Sequence, residues 1–259
     1  MNTGNEHIKV EKKKGIGIIT LNSPEALNVL EIQTLQELRN SLIELEKDEQ
    51  VRAIIITGGK NFCAGANIKR MKEIHPKEAE TLSRLGHEVY NQVENMGKPV
   101  IAAIAGYALG GGCELALACT FRLATPQARF GLPEIKLGLI PGYGGTQRLP
   151  RLIGLPMALE ILMSGRFVDA EEAVRLGLAN RIVARNPLDE AVDYARQFSG
   201  YSLLTLRLVR DAAQRALSTP LADGLRIEAD LSTLSMESLD GKEGTRAFLE
   251  KRKPRFQDR

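Results

Sequence analysis

The chain has 259 residues, 43% of them hydrophobic, with 35 basic against 32 acidic residues, a formal charge of +3 and a pI near 8.7. That length buries a sizeable core, and so balanced a surface excludes a nucleic-acid-binding arm while suiting a phosphate-bearing small molecule. The opening stretch MNTGNEHIKVEKKKG has no apolar signal segment and is too acidic for a transit peptide, and no apolar run reaches a membrane span; a cytoplasmic protein with no membrane partner is expected.

In chain order, Gly15 to Leu21 and Val51 to Thr57 read as buried strands. Between them Ile32, Leu35, Leu38, Leu42 and Leu45 recur at helical spacing and mark an amphipathic helix. Thr81 to Met96 reads as the next helix, ended by Gly97 and Pro99, and Pro99 to Ala105 as a third strand. Gly110 to Cys119 is a short, nearly all-apolar helix that must be buried, followed by short strands at Phe121 to Ala124 and Ala128 to Phe130. Strands alternating with helices imply an α/β fold with parallel sheet. From Leu188 onward the pattern is wholly helical: Leu188 to Phe198, Leu203 to Leu217, Leu221 to Met236 and Gly244 to Glu250. A boundary near residue 195 is expected, with a core at 1–195 and a helical region at 196–259.

Cys63, Cys113 and Cys119 lack CxxC spacing, and His7, His75 and His87 are scattered, so neither a disulfide framework nor a metal site is expected. Cys113 is read as packing rather than as a nucleophile, since no paired histidine is placed by the sequence. Gly110-Gly111-Gly112 is not GxGxxG, because Leu115 stands three beyond Gly112, and no Gly-Lys pair precedes Ser or Thr. What remains is a strand-to-helix turn whose missing side chains admit close approach to free amides. Taken alone, the glycines serve tight helix packing equally well. A second small-residue turn, GGKNFCAGAN over Gly58 to Asn67, also follows a strand, at the edge where α/β proteins place ligands. Two carboxylates stand near such turns, Glu114 inside the apolar helix and Glu134 in FGLPE, the latter before the glycine-rich loop PGYGGTQRL.

NSPEALNVL (22–30), FCAGANIK (62–69), KPVIAAIAGYALGGGCELALAC (98–119), FGLPEIKLGLIPGYGGTQRLPRLIG (130–154) and FLEKRKPRF (248–256) together resemble the enoyl-CoA hydratase (crotonase) family. The resemblance runs almost end to end. It implies a crotonase-like spiral of ββα repeats with a C-terminal helical trimerisation region, assembled as a homotrimer or a hexamer of paired trimers. It implies an acyl-CoA thioester as the partner, an oxyanion hole at the amides of Ala66 and Gly111, and two catalytic glutamates, Glu114 and Glu134. Gly142 matches a position whose backbone lies near the catalytic water. Contacts to coenzyme A are implied at Ala64, Ala66, Ile68, Lys69 and Lys251; for Lys251 an ordinary solvated basic terminus is the equal alternative.

The leading reading is syn hydration of a 2-trans-enoyl-CoA to the 3-hydroxyacyl-CoA, without metal or redox cofactor. Here Glu134 delivers the proton to the alpha carbon and Glu114 activates water. Isomerisation of an enoyl-CoA or hydration of a cyclic dienoyl-CoA on the same scaffold is the alternative, since an isomerase works with one carboxylate. An RNA-binding role would call for a basic patch with stacking aromatics, which 5% aromatic content does not supply. Three residues depart from the family pattern. Asn67 and Thr120 stand where aspartate is usual, and Tyr143, in place of a small residue, either reshapes the acyl pocket or faces away.

Overall fold

The computed structural model describes residues 7–23, 27–72 and 74–259, with the side chains of residues 69 and 70 outside the description. The chain divides into two compact units, Met1–Ala195 and Arg196–Arg259.

In the first unit β1 (Ile8–Lys13) pairs antiparallel with β2 (Ile16–Leu21), and helix α1 (Ile32–Lys47) leads to β3 (Ala53–Thr57), which lies parallel to β2. A short helix α2 (Ile68–Met71) and the long α3 (Pro76–Asn95) precede β4 (Val100–Ile104) and β5 (Tyr107–Leu109). Helix α4 (Gly111–Ala118), β6 (Phe121–Ala124), β7 (Arg129–Gly131) and a 3₁₀ turn over Pro133–Leu137 follow. Then come α5 (Gly145–Ile153), α6 (Leu155–Ser164), β8 (Val168–Asp169), α7 (Ala170–Leu176), β9 (Arg181–Ile182) and α8 (Pro187–Ser199).

The strands form two sheets, ordered β1-β2-β3-β4-β6-β9 and β5-β7-β8. Successive strands alternate between them: β4 and β6 go to the large sheet, β5 and β7 to the small one. Isolated parallel bridges from Leu30 to Ala66 and from Cys63 to Ala108 continue the small sheet's pattern into earlier turns of the chain. This is the expected spiral of ββα repeats.

Strands β3 and β4 are buried at every residue because both faces of the large sheet are covered, which explains their unbroken apolar runs. Ile54, Ile56, Ala102 and Ile104 join the leucines of α1 and the buried residues of α3 and α4 in one core. Ala53, Ile55, Ile101 and Ala103 meet Ala191, Val192 and Ala195 of α8 in a second. Each fully buried leucine of α1 contributes roughly 1.5–3 kcal/mol. The last turn of α1 is closed by a buried lysine, Lys98, whose Nζ donates to the carbonyls of Leu45, Glu46 and Asp48 at 2.7, 2.9 and 2.7 Å. A cation on those carbonyls both satisfies them and faces the negative end of the helix dipole.

The structure adds elements that periodicity does not reveal. In β1 only Ile8 is buried, so this charged edge strand carries no apolar alternation. Helix α3 begins at Pro76, before the expected Thr81, because Pro suits the first helical position and the opening residues are polar.

The second unit holds α9 (Leu203–Arg215), α10 (Leu221–Glu237) and α11 (Leu239–Leu249). Ser202 and Ser238 cap α9 and α11 through hydroxyls that accept from Thr205 N and Gly241 N. The C-terminal residues are tied to buried Asp240, which accepts from the amides of Gln257 and Asp258 at 2.6 and 2.8 Å. Among the described residues no helix is long and apolar enough to cross a membrane.

Candidate active site

The turn between β5 and α4 packs against the segment that follows β3. Cys63 N donates to Tyr107 O and Leu109 N to Cys63 O, both at 2.9 Å, so the two turns are laced together as neighbouring strands. Gly112 lets α4 start there: a β-carbon at that position would collide with the Cys63 carbonyl. Gly65, at φ 92, approaches so closely that a β-carbon would stand 2.8 Å from Leu109 O and 3.1 Å from Gly111 N. The two expected oxyanion-hole turns therefore meet. No described residue accepts from the amides of Ala66 or Gly111.

Both turns open on a cavity of about 610 Å³ whose wall carries Ala64, Ala66 and Gly142 together with both glutamates. Apolar side chains, including Met71, Ile74, Leu82 and Leu139, make most of the remaining wall. Ile68 lines the same cavity and is largely exposed.

Glu114 is 1% exposed, one turn into α4, where the run GGCELALA is buried throughout. Its Oε1 accepts from the amides of Tyr143 and Gly145 at 2.8 and 2.7 Å. Burial lifts its pKa from 4.5 to about 7. The two amide bonds and the charge of Arg148 pull it down, and the neighbouring charge of Glu134 pushes it up.

Glu134 sits on the 3₁₀ turn with Oε1 against Gly110, 3.1 Å from where a β-carbon would stand. Burial raises its pKa also, and its Oε2 is buried with no hydrogen-bond partner. An orphaned buried oxygen is costly in a folded protein and is found where a ligand or water completes the site. Charge on Glu134 thus adds to the cost of ionising Glu114, while the shift of Glu134 itself comes from burial.

Tyr143 does not face away. It is 5% exposed, its ring packs against Gly86 of α3 and against Gly111, and it stands edge-on to Tyr90 with centroids 5.6 Å apart. The Tyr90 hydroxyl in turn donates to Gly111 O at 2.7 Å, pinning the start of α4. Asn67 Nδ2 donates to Glu31 Oε1 at 2.9 Å, and the Thr120 hydroxyl accepts from Val100 N at 3.1 Å. All three thiols are buried, and burial pushes each to about 12, which leaves Cys113 no thiolate to act as a nucleophile.

Of the expected coenzyme A contacts, Lys69 lies in α2 with its side chain outside the described residues. Lys251 belongs to the second unit, exposed, just past α11, at φ 53. Residues 24–26 of the first motif also lie outside the described residues.

Two residues that sequence reasoning passed over organise this site. Asn28, 2% exposed, donates through Nδ2 to the carbonyls of Gly58 and Asn61 at 2.8 Å and of Phe62 at 3.3 Å, while its Oδ1 accepts from Ser23 N. It shapes the segment that ends at Ala66. Arg148 of α5 spans from the Tyr143 carbonyl to Glu94 and Asn91 of α3.

Comparison with known proteins gives the family. The family model for enoyl-CoA hydratase/isomerase matches residues 11–259. A crotonyl-CoA hydratase from Syntrophomonas wolfei is 42% identical over 254 residues, covering 97% of this chain and 98% of that protein. A short-chain-enoyl-CoA hydratase from Clostridium acetobutylicum is 39% identical over 250 residues, 95% of this chain and 96% of its own. A crystal structure of an enoyl-CoA hydratase from Bacillus anthracis superposes with a TM-score of 0.92 at 36% identity, covering 98% of this chain and 100% of that one. With its spiral fold, paired turns and near-complete matches on both sequence and structure, the chain belongs to the enoyl-CoA hydratase/isomerase family.

Proposed function

We propose that this protein hydrates 2-trans-enoyl-CoA thioesters to 3-hydroxyacyl-CoA by syn addition of water, using Glu114 and Glu134. The observation that carries the reading is the orphaned Oε2 of Glu134, in a cavity shared with Glu114 and with the uncommitted amides of Ala66 and Gly111. The thioester oxygen accepts from those two amides, which stabilise the negative charge that grows on it as water adds; one such donor is typically worth about 2.7–4 kcal/mol in the transition state.

Water attacks C3 while the carboxylate form of Glu114, accepting from the amides of Tyr143 and Gly145, takes its proton. Glu134 delivers a proton to C2 from the same face, and the proton gained by Glu114 then re-equilibrates between the pair. Atoms and charge balance without a metal or a redox cofactor. Lys69 and Lys251 are proposed as partners of the coenzyme A phosphates. The relatives named as crotonyl-CoA and short-chain-enoyl-CoA hydratases support a short acyl chain. Exposed apolar residues of the second unit, among them Leu221, Leu225, Phe248 and Leu249, support a homotrimer or paired trimers, which light scattering reads directly.

Loss of crotonyl-CoA ultraviolet absorbance on adding the protein tests the reaction. Rapid loss with wild type and near-silence in both Glu114→Gln and Glu134→Gln is expected. No loss with folded wild type overturns short-chain hydration, and 3-enoyl and cyclic dienoyl thioesters then test the isomerase and dienoyl readings.

A further inference from the structure

The loop 141–145 joins the 3₁₀ turn that carries Glu134 to α5, and its backbone supplies both hydrogen bonds that Glu114 Oε1 receives. The donors are the amides of Tyr143 and Gly145, in the peptides on either side of the Tyr143–Gly144 unit. The carbonyl of that intervening unit, Tyr143 O, accepts from Arg148 Nη1 at 3.0 Å. Gly144 is left-handed at φ 103, and the guanidinium lies so close over it that a β-carbon there would collide with Nη1. The rest of the fork is spent on α3: Nε and Nη2 donate to Glu94 Oε2 at 3.1 and 2.8 Å, and Nη2 donates to Asn91 Oδ1 at 2.7 Å. The Arg148 side chain is 10% exposed, so this fork is largely withdrawn from water.

We infer that Arg148 is a positioning residue for the proposed hydration: anchored on Glu94 and Asn91, it fixes the peptide between the two amides that bind Glu114. The inference rests on the reading of Glu114 as the base. A salt bridge built only to join α5 to α3 would need Glu94 alone. The contact to Tyr143 O instead clamps the one peptide unit whose rotation would swing both donors off the carboxylate. A planar guanidinium makes these three contacts in fixed directions, which an ammonium does not reproduce.

Charge acts in the same sense. The groups facing Glu114 are Arg148 from α5, Glu134 from the 3₁₀ turn, Tyr143 from the loop, Tyr90 from α3 and Cys113 from α4; His87 of α3 lines the same cavity. Arg148 is the cation among those that act on the Glu114 charge and opposes the burial that favours its neutral form. Removing Arg148 therefore raises the pKa of Glu114, and the acid limb of a rate that needs its carboxylate moves to higher pH.

Arg148→Ala and Arg148→Lys are measured beside wild type with crotonyl-CoA across the pH range around neutrality. Titration of Glu114 is followed separately by its carboxylate infrared band, assigned with Glu114→Gln. For Arg148→Ala we expect kcat to fall about 10²-fold with little change in KM. The acid limb and the infrared midpoint should both move up by about one pH unit. Added guanidinium should restore part of both. Arg148→Lys should show a smaller shift in the same direction, and it carries both readouts should the alanine variant not fold. An unmoved Glu114 midpoint, or a rate that falls only in step with the folded fraction, overturns the inference. Wild type that hydrates no enoyl thioester defeats the hydration reading, while the infrared midpoints still decide the role of Arg148.

Discussion

The segments 58–66 and 141–145 both carry backbone amides to one cavity and spend them differently. In the first, the amides of Phe62, Cys63 and Ala64 are bonded to Ala105, Tyr107 and Leu27 carbonyls, that of Gly65 meets the Cys63 sulfur, and that of Ala66, which lines the cavity, points at no described acceptor. In the second, the amides of Tyr143 and Gly145 already hold a protein carboxylate. Each loop is shaped by one side chain from elsewhere, a neutral amide from Asn28 and a cation from Arg148. The difference follows what each loop faces. In the proposed reaction the first loop waits for an oxyanion and needs a rigid scaffold and an open donor, whereas one that holds a buried carboxylate also needs positive charge nearby to keep that carboxylate ionisable.

The largest effects should come from removing what the two loops serve. Glu134→Gln and Glu114→Gln should each lower kcat by about 10²–10⁴-fold, the range for a positioned acid or base. Equal, mild losses in both would place the chemistry elsewhere in the cavity. Next, Gly65→Ala adds a β-carbon at φ 92 that meets Leu109 O and Gly111 N, forcing apart the amides of Ala66 and Gly111 that are proposed to bind the thioester oxygen. Its kcat should fall about 10²–10³-fold, equivalent to losing one donor. Unchanged turnover would remove the Ala66–Gly111 pair from the mechanism.

The glycine turns and both glutamates were legible because their signal is linear: small residues after apolar strands, and a carboxylate set in a run with no other charge. The spiral itself became legible through the family resemblance, since the short β5 strand and the isolated bridges of Leu30 and Cys63 carry no periodicity, although β7 is legible as a strand at Ala128 to Phe130. Arg148 and Asn28 were not legible as organisers of the site. Both stand in the quoted motifs, yet their partners lie 54 and 30 residues away, and a single arginine or asparagine in a local pattern reads as surface. Lys98 is the same case in the core, a lysine buried against carbonyls about fifty residues upstream.

Asn28→Ala probes the scaffold of the first loop. It leaves the carbonyls of Gly58 and Phe62 without their buried donor, at a cost of about 1–3 kcal/mol for each unsatisfied group, so roughly 4 kcal/mol in all. Chemical denaturation measures this directly. Because the segment ends at Ala66, kcat in the surviving folded fraction should fall as well. A loss of stability with full activity per folded molecule would show that the amides of Ala66 and Gly111 are positioned without Asn28.

The smallest effect isolates the second loop's task of holding a charge in a dry place. Glu114 has an ordinary carboxyl value of 4.5 in the unfolded chain and about 7 in the fold. Between those values the native state binds more protons than the unfolded state, so stability falls as pH rises through that window and levels off above it. The whole penalty is about 3 kcal/mol, since each tenfold change in acidity is worth about 1.4 kcal/mol. Glu114→Gln has no charge to bury and should escape it. Its stability relative to wild type should therefore improve steadily from near pH 4.5 to near pH 7 and then stay constant. The measurement is the difference in unfolding free energy between the two proteins as a function of pH. Its slope matters rather than its offset, since the glutamine amide brings its own packing cost at every pH. A flat difference would mean that the amides of Tyr143 and Gly145, with Arg148 behind them, offset the burial of Glu114 completely, and the two loops would then differ in geometry but not in electrostatic task.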